Sequence, residues 1–135
     1  MAAVVGLVKD LLDRSRIQGM ARAVGSRVDF VSSIEELERA DISEVTAVFV
    51  DLTDKDLHGV RAPDVVARIS QGKRPTIIGF IAHHDKDGIS KAEEAGFDEV
   101  LTRAAFFRRL SVLLAEARER FSGQSHRGGA CPKDE

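Results

Sequence analysis

Short apolar runs alternate with helix-period segments along most of the chain, and this alternation limits the fold more than any other feature. Ala3–Val8 is continuously apolar, as suits a strand covered on both faces. Ile17, Met20, Ala21 and Val24 then fall at i, i+3, i+4 and i+7, one face of a helix, and Gly25 suits its left-handed end. Arg27–Val31 is a second strand. Ser33-Ile-Glu-Glu36 has capping-box spacing and predicts a short helix to about Ala40. Val45–Val50 is a third strand with Asp51 at its C-terminal end. Pro63 marks a first helical turn, and Val65, Val66 and Ile69 give that helix an apolar side. A fourth strand is predicted over Thr76–Ala82. Ile89, Ala92 and Ala95 mark a helix stopped by Gly96, and Glu99–Thr102 is a fifth strand. Ala104–Phe121 is a long helix with Leu110, Leu113, Leu114 and Ala117 on one stripe.

Five such β-α units predict an α/β domain over residues 1–121, a doubly wound five-stranded parallel sheet with helices on both faces. The polar, Gly-rich stretch over residues 122–135 is expected to be disordered and holds no output domain. In open sheets of this kind, ligands gather beyond the carboxyl ends of the strands. That rule singles out Lys9-Asp10, Asp51, His83-His84-Asp85 and Thr102-Arg103-Ala104.

Composition excludes several classes of function. A net charge of −2 lacks the basic excess of a general nucleic-acid binder, and no Trp or Tyr is present to stack bases. One cysteine, Cys131, cannot form an internal disulfide, which favours a reducing compartment. No apolar run reaches membrane-spanning length, and the Ala2–Val8 run before Lys9 is too short for a signal peptide. The expected location is the cytoplasm, with no membrane or nucleic-acid partner. Gly-rich nucleotide fingerprints are absent. Adjacent histidines at a strand end point in different directions, so His83-His84 is read as loop rather than metal site, with Asp85 near the next helix start. Asp56-Leu-His58-Gly59 departs from the cobalamin-binding spacing and is set aside.

Three spacings make the chain resemble a response-regulator receiver domain. Gly59 lies eight residues after Asp51, Glu94-Ala95-Gly96-Phe97-Asp98 matches the turn before the fifth strand, and Arg103 lies 52 residues after Asp51. The resemblance covers roughly Ala3 to Phe121. It implies a flavodoxin-like sheet with strand order 2-1-3-4-5 and a phosphoacceptor aspartate at Asp51. It also implies an acidic metal-holding pair at Lys9-Asp10, an invariant lysine at the place of Arg103 and a switch hydroxyl at the place of Ile81.

Several of those positions are altered. An aspartyl nucleophile needs Mg²⁺ in an oxygen shell. Here Lys9 replaces one acid, which leaves Asp51, Asp10 and one carbonyl as a weak metal site at most; no other cofactor is expected. Lys9 is instead a candidate ion-pair partner for Asp51. Arg103 is a candidate partner for a phosphoryl group or for Asp51, with a planar fork in place of a point charge. Ile81 has no hydroxyl to donate. The first expectation is therefore a non-enzymatic pseudo-receiver in a bacterial cytoplasm, without an output domain of its own. Its partners would be proteins: a histidine kinase, another regulator, or a second copy through the helix 4–strand 5–helix 5 face, where Phe106 and Phe107 divide between core and surface. The alternatives are a receiver phosphorylated at Asp51 and a flavodoxin-like small-molecule binder.

Overall fold

The computed structural model describes residues 2–126. Five parallel strands form one sheet: β1 (Val4–Leu7), β2 (Val28–Val31), β3 (Ala47–Asp51), β4 (Thr76–Ile81) and β5 (Glu99–Thr102). Their order is β2-β1-β3-β4-β5, the predicted topology. Register carries Leu7 beside Val50, Asp51 beside Phe80 and Ile81 beside Thr102. The carboxyl ends of β1, β3, β4 and β5 therefore open onto one rim.

Alternation along each strand sends successive side chains to opposite faces. Val48 and Val50 join Ile34, Leu37, Val65, Val66 and Ala92 on one side of the sheet. Those helical residues belong to α2 (Ile34–Glu38), α3 (Ala62–Ile69) and α4 (Lys86–Ala95). Ala47 and Phe49 face Ile17, Ala21, Phe106 and Leu110 on the other. These come from α1 (Leu11–Val24), α5 (Arg103–Arg108) and α6 (Leu110–His126). Fully burying a branched aliphatic side chain or Phe stabilises by about 1.5–3 kcal/mol, and strand residues Val4, Leu7, Val48, Phe49 and Phe80 are all fully buried. The sheet ends are therefore a rigid base for the rim.

The helix boundaries follow the local chemistry. Gly25 (φ 75°) and Gly96 (φ 109°) end α1 and α4 in the left-handed region. Ser33 caps α2 by accepting from the Glu36 N–H at 3.1 Å, while the Glu36 carboxylate accepts from Ser32 N–H, one residue before the cap. The long final helix differs from expectation in two respects. Arg109 leaves helical backbone angles (φ −95°, ψ 3°) and divides it into α5 and α6. Helix α6 also runs past Phe121 to His126, so the start of the expected tail is helical. The rest of that tail, with Cys131, lies outside the described residues.

Candidate functional site

Asp51 closes β3 at the middle of the rim and is only 4% exposed. Its carboxylate accepts from the Thr53 N–H at 2.8 Å. Burial holds its pKa above the usual carboxylate range; the Thr53 hydrogen bonds oppose that rise, the Asp13 charge adds to it, and Arg103 offsets part of it.

Arg103 begins α5 directly after β5 and reaches across the rim to α1. Its guanidinium makes a two-point pair with Asp13: Nη1 donates to Oδ2 at 2.9 Å and Nη2 donates to Oδ1. The Asp13 side chain is 3% exposed and that of Arg103 is 40% exposed. The hydrogen bonds that Arg103 donates to Asp13 are the largest influence raising the Arg103 pKa above its ordinary value, with Asp51 and Asp10 contributing by charge. Two buried carboxylates and one guanidinium thus form a single electrostatic unit.

Asp13 is the functional residue that motif spacing missed. The apolar stripe of α1, run back from Ile17 by one helical turn, lands on position 13, so the core-facing pattern pointed to it. Asp10 has a different task. It is exposed, and its side chain caps α1 by accepting from the Asp13 N–H at 3.0 Å. It acts on the centre only through its charge at Arg103.

The expected Lys9–Asp51 pair is not formed. Lys9 is exposed and makes no ion pair among the described residues, because the positive charge facing the acidic centre comes from Arg103. Ile81 ends β4 at 1% exposure, packed so closely under α4 that a Cβ on Gly88 would lie 2.6 Å from its Cδ1. The Thr102 hydroxyl, beside it on β5, is engaged as the cap of α5, accepting from the Ala105 N–H at 3.1 Å. Asp85 caps α4 and also pairs with Lys55 at 2.8 Å, joining the loop after β3 to the loop after β4. Gly59 supports the Asp51 loop by close approach: a Cβ there would meet Val50 Cγ1 at 2.6 Å and the Asp51 carbonyl oxygen at 3.4 Å.

Few carboxylate oxygens at the rim are left for Mg²⁺, which takes oxygen donors in a near-octahedral shell. Both Asp13 oxygens are engaged by Arg103, one Asp51 oxygen accepts from Thr53, and one Asp10 oxygen caps α1. No cluster of three or more His, Cys, Asp or Glu side chains with metal-binding geometry exists among the described residues, His83 and His84 included. Their exposed rings meet edge to face with centroids 5.6 Å apart.

No family model and no curated protein matches the chain. Solved structures do. A beryllofluoride-activated NtrC4 receiver domain dimer superposes with a TM-score of 0.67 at 20% identity, over 87% of this chain and 97% of that one. A response regulator receiver protein from Pseudoalteromonas atlantica gives 0.65 at 13% identity, over 90% and 98% of the two chains. A CheY-like protein, tadZ, from Pseudomonas aeruginosa gives 0.64 at 18% identity, over 84% and 97%. The chain therefore has the flavodoxin-like fold of the response-regulator receiver domains.

Proposed function

We propose that this protein is a signalling module of receiver type whose rim is held in one state by the Arg103–Asp13 pair, and which acts through protein partners. The observation that carries the reading is the engagement of both Asp13 oxygens by a guanidinium beside buried Asp51. A phosphoryl group arriving at Asp51 would meet a cation already committed to a carboxylate. It would also meet Ile81 where a hydroxyl would be needed to relay its presence. The Lys55–Asp85 contact favours the same reading, since it ties the two loops whose relative movement would report a change.

The partner is proposed to be a histidine kinase, another regulator or a second copy of the chain, in a bacterial cytoplasm. One of the similar structures is a dimer, which makes self-association through α4, β5 and the α5–α6 pair a reasonable first test. Phe106 is buried and stacked on Phe80 with centroids 4.4 Å apart, while half-buried Phe107 packs beneath the Arg16 guanidinium, so the two rings divide between core and surface. Among the described residues no helix is long and apolar enough to cross a membrane.

Intact-mass spectrometry after incubation with acetyl phosphate and Mg²⁺ tests the proposal, with Asp51→Ala as control. The expected result is no phosphoryl adduct on folded protein. A stoichiometric adduct on the wild type and none on the control would make this a working receiver.

A further inference from the structure

Beside the Asp51 centre, a cleft of about 680 Å³ opens between the ends of β4 and β5 and the side of α1. Ala82, Ala104 and Phe107 give it an apolar floor, and Arg16, Arg103 and Arg108 also line it, with the Arg16 and Arg103 guanidinium groups over the Phe107 ring. No Asp or Glu is among its lining residues. The volume falls within the range of about 300–1,000 Å³ that suits small-molecule sites. Arg103 is committed to Asp13, but Arg16 and Arg108 have no carboxylate partner among the described residues. Arg16 is also held in place, with its guanidinium carbon 3.8 Å from the centre of the Phe107 ring.

Two unpartnered planar cations over an apolar floor ask for a ligand with two properties. Guanidinium groups match phosphate oxygens with several parallel N–H donors, and their flat faces, like that of Phe, accept an aromatic ring. The Asp13 and Asp10 charges bear on Arg103, which leaves Arg16 and Arg108 as the anion-binding end. We propose that this cleft binds an aromatic organic phosphate of the nucleoside phosphate class. Arg16 and Arg108 hold the phosphate, and the ring lies along the Ala82–Ala104 floor. Recognition is by side chains, which is why no glycine-rich phosphate loop marks it in the sequence. Asp51 is not among the lining residues, so binding by the Asp51→Ala protein separates this proposal from the phosphorylation reading.

The test is an amide NMR titration of the labelled chain with ADP, with inorganic pyrophosphate and with a hexaglutamate peptide. ADP should saturate and move the amides of residues 82–84, 102–104 and 107–108. It should bind at least about tenfold more tightly than pyrophosphate, a difference of about 1.4 kcal/mol. Arg16→Ala/Arg108→Ala should weaken ADP by about tenfold or more in protein that remains folded by its amide spectrum. Arg16→Lys/Arg108→Lys, which keeps charge without the planar fork, should also weaken it and serves if the alanine pair folds poorly. Absence of saturation, equal binding of pyrophosphate, tighter binding of hexaglutamate, or wild-type affinity in folded variants would each overturn the proposal.

Discussion

Arg103 and Asp13, ninety residues apart in the chain, close a two-point ion pair across the rim of the sheet, and this pair occupies the acid that would otherwise be free to work beside Asp51. Removing Arg103 leaves a carboxylate buried and unpaired. For Arg103→Met, we expect a loss of about 2 kcal/mol in urea denaturation, below the usual cost for a buried pair because the guanidinium is 40% exposed. Arg103→Met/Asp13→Leu should recover most of that loss, since an apolar pair leaves no stranded charge. Equal destabilisation of the single and double variants would contradict this role for the pair.

The raised pKa of Asp51 has a definite sign for stability. The folded protein holds the Asp51 proton more tightly than the unfolded chain does. Stability therefore falls as pH rises from about 4, where the unfolded carboxyl titrates, through the higher folded pKa. Asp51→Asn keeps the acceptor for the Thr53 N–H and removes the charge. It should be more stable than wild type at neutral pH, and the advantage should vanish below about pH 4. Thermal melts across that range check it; an advantage that grows on acidification would mean that the folded state lowers the Asp51 pKa instead of raising it.

Gly59 and Gly19 should respond to alanine in opposite senses. At Gly59 the new Cβ would press on the Val50 and Leu52 side chains, so Gly59→Ala should cost about 1–3 kcal/mol. At Gly19, within α1, nothing lies within 4 Å of the new atom, and Gly19→Ala should stabilise by about 0.5–1 kcal/mol through helix propensity. Urea midpoints of the two variants decide both.

Lys9 is outside the centre. Lys9→Met should change stability by less than about 0.5 kcal/mol and leave Mg²⁺ affinity unaltered, as measured by denaturation and calorimetry. A large gain in either would return Lys9 to the site.

The three central strands β1, β3 and β4 were legible because their side chains are buried on both faces and so are nearly all apolar. Asp51, Gly59 and Arg103 were legible because the fold spaces them rigidly along the chain. Asp13 was harder to see. An acid in the first turn of a helix ordinarily reads as a solvated charge favoured by the helix dipole. Its burial comes only from docking α1 against α5 and α6, which brings Arg103 to it. Lys9 drew attention by replacing an acid, but a strand-end position does not fix where a long side chain points. The cleft was equally hidden, since Arg16, His83 and Phe107 share no local motif and meet only through the crossovers of the sheet.

The central claim is that the rim has one state. Amide NMR spectra recorded with and without beryllofluoride and Mg²⁺ test it most directly, because the probe needs no kinase and reports on every loop. A rim with one state predicts unchanged amide positions for Asp51, Thr53, Ile81 and Arg103. Saturable shifts running from Asp51 through the loop after β4 to Arg103 would contradict it and establish a working switch.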